Sequence, residues 1–149
     1  MNIRPFKYSD LPAILDIYSN SKLDELINEK NKFSLLPLME DKKRFAELME
    51  SDIYVYEENA VVGYCAIFGN EIRALFVHPN RRKKGLGKLL LEHLLSLING
   101  PAVLYVAKSN CVAKEVYKKY GFKVTGEFVA TYNKESVLAN EMVRNMRNC

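Results

Sequence analysis

No apolar run in the sequence approaches the ~20 residues that a membrane-spanning helix needs, and the opening stretch, Met1 to Lys7, has no apolar signal core. Both absences point to a cytoplasmic protein with no membrane partner. Cysteine is scarce: Cys65, Cys111 and Cys149 are odd in number, lack metal-ligand spacing and have no His or acid at a recognisable distance. They read as reduced thiols, which excludes a disulfide framework, thiol catalysis and a cysteine-held metal, and no metal is expected. Neither sign of charge dominates. A net charge of +4 suits an anionic small ligand, and the aromatics do not interleave with the basic cluster at residues 81–84, so nucleic acid is not an expected partner. Repeats, low-complexity tracts and linkers are absent too, so the 149 residues are expected to form one domain, long enough to bury a sizeable core.

What is present is a sequence of changing periods. Asn2 to Phe6 alternates like an edge strand. Ser9 or Asp10 then caps a helix carrying Leu11, Ile14, Leu15 and Tyr18 at helical spacing, with Pro12 tolerated in its first turn. Residues 20–40 show no clean period, and Asp41 to Glu50 reads as a second helix with Phe45, Leu48 and Met49 inward. The period then falls to two, over Ile53–Glu57, Val61–Phe68 and Glu71–His78, with turn signals at Glu58-Asn59 and Gly69-Asn70. A helix over Gly85–Ile98, a buried strand over Ala102–Ala107, a helix over Asn110–Tyr120 closed by Gly121, and strands over Phe122–Thr131 and Val137–Arg144 complete the order. This order predicts an α/β fold with one mixed sheet flanked by helices. The helix between 71–78 and 102–107 is a crossover, so those two strands are predicted to run parallel.

The strongest local signal runs from Leu75 to Gly87: a strand ends at Pro79, a basic loop with two close glycines follows, and an apolar-faced helix begins. Glycine lets the backbone turn tightly and approach a ligand with no Cβ in the way. The unpaired N–H groups of the first helical turn, with the helix dipole behind them and Arg82, Lys83, Lys84 and Lys88 nearby, suit a pyrophosphate. A solvated basic loop is the competing reading. The Walker loop fails on glycine spacing and ending, and the dinucleotide fingerprint fails because Leu90 stands at its third glycine.

Arg82-x-x-Gly85-x-Gly87, following Leu-x-Val-x-Pro, resembles the acetyl-CoA-binding motif of the GNAT superfamily of N-acetyltransferases. Asn110-x-x-Ala113-x-x-x-Tyr117-x-x-x-Gly121-Phe122 resembles that family's second cofactor motif, and the order of elements is similar along nearly the whole chain. The resemblance implies a GNAT fold: a mostly antiparallel sheet that splays open between its one parallel strand pair. Pantetheine would lie in the gap against the backbone of Leu75, Phe76 and Val77, and the pyrophosphate on the amides of Lys83, Lys84, Gly85, Leu86, Gly87 and Lys88. Lys83 is a departure, since many members carry glycine there. The implied reaction is direct attack of a primary amine on acetyl-CoA in a ternary complex. An acyl-CoA-binding module without turnover, and transfer of a longer acyl group, share the same motifs.

Asn110 is expected to cap its helix and, by the resemblance, to contact the cofactor. Glu71, at the start of the strand lining the gap, is either the proton acceptor that the resemblance implies or a solvated residue beside a turn. His78 is an alternative base or a structural strand-end histidine, and His93 lies at the surface or the edge of the core. Tyr117, two helical turns past Asn110, matches the family's tyrosine that protonates the departing thiolate. An aromatic filling the helix–sheet interface is its other reading. The acceptor, a small-molecule or peptide amine, is expected between residues 20–41 and 131–136, with Tyr18, Phe33, Tyr64 and Tyr132 either lining the cleft or packing the core. No motif names that amine or an oligomeric state. One outcome tests the phosphate cradle directly. Gly87→Val should fold and lose most of its acetyl-CoA affinity in calorimetry, because the new side chain stands between the helix start and the pyrophosphate.

Overall fold

Period-two alternation between residues 52 and 77 becomes an antiparallel meander of β2 (Asp52–Glu58), β3 (Ala60–Phe68) and β4 (Glu71–Val77), with β1 (Ile3–Pro5) paired to its outer edge. The computed structural model describes residues 2–145, so Cys149 lies outside the described residues. β5 (Ala102–Ala107) runs parallel to β4, and the hairpin of β6 (Phe122–Tyr132) and β7 (Glu135–Arg144) joins β5 through β7. The order across the sheet is β1-β2-β3-β4-β5-β7-β6. Every adjacent pair but β4–β5 is antiparallel, so the mixed sheet follows the predicted pattern.

Helices cover both faces. On one, α1 (Leu11–Ser21) and α2 (Lys42–Met49) bury Ile14, Ile17, Tyr18 and Leu48 against Val55, Tyr64 and Ala66. On the other, α3 (Leu86–Leu97) sets Leu86, Leu90, Leu91 and Leu94 against Cys65, Ile72 and Leu104. Ala113, Val116 and Tyr117 of α4 (Cys111–Lys119) pack against the same cluster. Burial pushes the Cys65 thiol up to about 12, consistent with a small apolar core residue rather than a nucleophile. No helix among the described residues is long and apolar enough to cross a membrane.

Two elements differ from the sequence reading. The strand at Val137 begins at Glu135, because Asn133 and Lys134 both adopt positive φ (47° and 69°) and close a two-residue turn between paired Tyr132 and Glu135. That is the turn geometry whose twist matches a hairpin. Asp10 stands before α1, yet its carboxylate does not cap that helix. A 3₁₀ turn over Tyr8–Asp10 aims it backwards, where it accepts the Lys7 N–H (2.8 Å) and both terminal nitrogens of Arg4 (2.9 Å each). Arg4 also reaches Glu57 (2.9 Å), so this cluster clamps β1, β2 and the entry to α1. The Arg4 guanidinium holds the Asp10 carboxyl below its usual range, against the opposing effect of burial. A depressed carboxyl contributes stability above the ordinary carboxylate pKa of about 4 and loses it as pH falls through the folded value. Asp10→Asn should therefore lower the melting temperature by several degrees at pH 7, and the gap between variant and parent should close as thermal unfolding is repeated at progressively lower pH below 4.

Candidate active site

β4 and β5 pair only at Glu71–Val103 and Ile72–Leu104. The cause is visible one strand away: Ala66 pairs with Ala74 and Ile67 with Ile72, so Arg73 is an extra residue in β4. Such a bulge bends the strand and increases its twist, here swinging the rest of β4 away from β5. The His78 N–H bonds to Val62 O (2.8 Å) in β3. By strand alternation, Phe76 therefore also turns its backbone groups to β3, while Leu75 and Val77 turn theirs into the gap. The Val77 carbonyl is engaged by Ser21 Oγ (3.4 Å) and Arg82 Nε (3.3 Å).

The basic loop occupies the end of that gap. Gly85 stands before α3 at φ 79°, and the first backbone bond of the helix runs from the Leu89 N–H to Gly85 O (3.1 Å). The N–H groups of Leu86, Gly87 and Lys88 are consequently open to an anion. A Cβ built on Gly87 touches only Val77 Cγ2, at 3.9 Å, so the fold itself tolerates a small side chain there. Lys83, Lys84 and Lys88 are exposed. Arg82 behaves differently: its guanidinium turns back to Asp24 (2.6 Å), tying the loop to the segment after α1.

Two contiguous cavities open at the other end of the gap. One, of about 250 Å³, lies between α1, α2 and β4 and includes Tyr18, Glu47, Tyr64, Leu75 and Phe76. The second, of about 670 Å³, extends over β5 and the β6–β7 hairpin and includes Asn110, Phe128 and Tyr132. Glu47, Glu71, Tyr105 and Tyr117 line both. Tyr117 packs edge-on against Phe122 (5.9 Å between ring centroids), and burial raises its phenol pKa above the usual value, so it stays protonated through the neutral range. The opening between diverging strands thus has helix-end amides at one end and a protonated phenol at the other.

Residues 49–124 match the family model for the acetyltransferase (GNAT) domain. The chain belongs to the GNAT acetyltransferases. A curated relative in this family, the peptidyl-lysine N-acetyltransferase YjaB of Salmonella typhimurium, is 31% identical over 85% of this chain and 86% of its own. Among solved structures, a GCN5-related N-acetyltransferase from Rhodopseudomonas palustris superposes with a TM-score of 0.79 at 18% identity, covering 97% of this chain and 94% of that one. The structure of yncA from Salmonella typhimurium with its cofactor acetyl-CoA gives 0.71 at 21% identity, covering 100% and 95%. At these identities the structural matches establish the shared fold. The GNAT membership and its N-acetyltransferase relatives make this chain an acetyl-CoA-dependent N-acetyltransferase.

Against that activity, the side chains fall into three groups. Asn110 caps α4, its Oδ1 accepting the Ala113 N–H (3.3 Å), and it lines the larger cavity. Glu71 faces both cavities with one oxygen held by Arg73 Nε (3.3 Å). His78 stands away from the gap: its Nδ1 accepts the Asn80 N–H (3.2 Å) and its Nε2 lies 3.6 Å from Asp16, so its role is to hold the turn after β4. His93 packs edge-on to Tyr54 at the opposite face of the sheet (4.6 Å). Lys22, Glu25, Arg44 and Glu47 also line the cavities, and of these only Lys22 and Glu25 fall in the segments expected to form the acceptor wall. The α2 contributors escaped notice because a charged residue on a short amphipathic helix reads as solvent-facing.

Lys83 adopts φ 66°, in the left-handed region that glycine enters without strain. A left-handed conformation costs a side-chain-bearing residue about 1–2 kcal/mol. Lys83→Gly should therefore raise the unfolding free energy by up to ~1 kcal/mol, and Lys83→Val, β-branched in the same conformation, should lower it. Urea unfolding with unchanged m-values measures both.

Proposed function

We propose that this acetyltransferase modifies lysine side chains of protein or peptide acceptors, by direct attack of the amine on acetyl-CoA within a ternary complex. One observation carries the reading: the gap between β4 and β5 opens, beside Tyr117, into two joined cavities bounded by α2 and the β6–β7 hairpin. A long, flexible primary amine can enter from that side while the donor occupies the strand gap, so both substrates are present together and no acyl-enzyme is required. The peptidyl-lysine activity named for the Salmonella relative supports the same acceptor class.

In this reading the amides of Lys83 to Lys88 receive the pyrophosphate, with Lys83, Lys84 and Lys88 adding charge. Arg82 contributes by fixing the loop through Asp24 and the Val77 carbonyl. Leu75 and the Val77 N–H present the strand edge to pantetheine. The sequence reading that included the Phe76 backbone is revised, because that backbone is committed to β3. The Asn110 side-chain amide, which donates to no group among the described residues, faces the same cofactor. Glu71 borders the reacting centre, where its carboxylate helps set the charge felt by the incoming amine. Tyr117 donates its proton to the departing sulfur. A phenol is neutral at pH 7 and in that form can donate, and because burial raises its pKa the transfer requires negative charge to have developed on sulfur.

Incubation with acetyl-CoA and a panel of lysine peptides, N-terminal amines, free amino acids and polyamines, read by mass spectrometry and thiol release, tests the acceptor class. Lysine ε-amines in peptides should be acetylated in preference to the others, and a preference for another amine would reject the reading. Tyr117→Phe should lower kcat by roughly 10²–10⁴-fold while retaining the parent's acetyl-CoA-induced rise in Tm. Near-parental turnover would assign Tyr117 to packing against Phe122.

A further inference from the structure

The helices on the cavity side of the sheet, α1 and α2, pack on β2, β3 and β4. Beyond β4 that face belongs to β5, β7 and β6, and the larger cavity reaches it at Tyr105, Phe128 and Ala139. Both rings are left partly to solvent, Tyr105 at 49% and Phe128 at 39%. They meet edge to face (5.5 Å between centroids) from strands that are not neighbours, with β7 between them. The register explains the contact. Ala139 on β7 pairs with Ala107 on one side and Phe128 on the other, and its small side chain lets the rings close above the strand.

Next along β7 on the same face, just past the cavity wall, stands Glu141, opposite Tyr105 on β5 and Gly126 on β6. Gly126 brings no side chain over the carboxylate: a Cβ built there would lie 4.0 Å from Glu141 Oε1. One oxygen, Oε1, accepts the Thr125 hydroxyl (2.8 Å), and the carboxylate enters no ion pair among the described residues. Lys123 is exposed one step further along this face, and it too enters no ion pair among the described residues. The other carboxylate near Tyr105, that of Glu71, is held by Arg73 (3.3 Å). Partial burial, and after it the negative charges of Glu71 and Glu141, raise the Tyr105 phenol above its usual pKa, so the ring stays uncharged. A guanidinium is a flat cation that lies on aromatic faces and offers N–H donors to a carboxylate in the same plane, which the point charge of an ammonium does not.

We propose that Tyr105, Phe128 and Glu141 form a subsite for an arginine close to the target lysine in the acceptor, with the guanidinium lying on the ring pair and bonded to the Glu141 carboxylate. The lysine side chain enters the cavity towards Tyr117 while its backbone stays at the mouth, which sets a neighbouring residue over the open face of β5, β7 and β6. Continuity with the cavity favours a part of the same acceptor as the occupant, and the unmatched carboxylate beside two rings favours a cation. The inference rests on the lysine reading and adds to it a rule by which one lysine is chosen over another. It adds no group to the chemistry.

The test uses peptides with a single lysine in an uncharged background, carrying arginine in turn at each position around it, and compares each with the same peptide carrying citrulline. Citrulline keeps the planar end of arginine and loses its charge. In the parent, arginine at a particular position should raise kcat/KM by about tenfold over citrulline, and the advantage should shrink as salt is added. Glu141→Gln, which keeps an oxygen for Thr125, should cut that advantage to about twofold or less while leaving kcat/KM for the citrulline peptide and the Tm at parental values. Phe128→Leu, which removes the ring and keeps the apolar bulk, should also reduce the advantage. Equal kcat/KM for arginine and citrulline at every position in the parent would overturn the subsite and leave the lysine reading standing. So would a full parental advantage in Glu141→Gln. A parent that acetylates no peptide of the set would overturn the lysine reading and the subsite with it, a result separable from the others because it needs no variant.

Discussion

Everything at this site depends on two parallel strands that stop pairing. After Ile72 and Leu104 the hydrogen-bond ladder between β4 and β5 ends, while both strands remain paired on their other sides, to β3 and β7. A sheet normally satisfies its backbone groups internally, because a buried unpaired N–H or C=O costs as much as a lost hydrogen bond. Here the extra residue at Arg73 turns that rule to use: backbone groups at Leu75 face an opening rather than a neighbouring strand, and the Val77 carbonyl is taken up by Ser21 and Arg82 instead. The divergent strands leave an open gap, and the crossover helix α3 begins where that gap ends. Strand separation and helix-end amides are thus two results of one topology, a parallel pair joined by a helix.

The wall formed between α1 and α2 is held by a different kind of force. The chain between α1 and α2 has little regular structure beyond a 3₁₀ stretch, and its position comes from hydrogen bonds to other elements. The Tyr132 hydroxyl accepts the Leu36 N–H (2.8 Å), Asn133 reaches Ser34 O (3.0 Å), and Arg44 reaches Thr131 O (3.0 Å) while its guanidinium stacks over the Tyr132 ring. Leu26, Phe33, Tyr132 and Val137 close a small apolar cluster beneath these bonds. The hairpin of β6 and β7 therefore acts as the template on which the irregular segment is laid.

That difference accounts for what the sequence discloses. Period two over residues 52–77, the turn at Gly69-Asn70 and the apolar stripe of α3 are local signals, and the sheet and its crossover follow from them. Gly85 is legible for the same reason, since the turn into α3 needs a left-handed residue there. Residues 20–40 show no period because their order is imposed from Tyr132 and Thr131, about a hundred positions along the chain. The bulge at Arg73 has no sequence signature, since a residue gained by one strand is visible only beside its partner. Arg82 reads as a loop cation like Lys83 and Lys84 until Asp24 is seen next to it.

The bond between Arg82 and Asp24 spans the two halves of the site. The loop that closes the strand gap and the segment that leads into the acceptor wall are fastened to each other, and both meet at the Val77 carbonyl, which Ser21 and Arg82 share. The Arg82 guanidinium is thus one of the ties between the two halves, beside Ser21 on the Val77 carbonyl and His78 near Asp16. Linkage makes any communication between them symmetrical: by whatever factor the donor alters the grip on the acceptor, the acceptor alters the grip on the donor by the same factor. The bridge joins an exposed arginine to an exposed aspartate, in a region where dissolved salt competes directly with it.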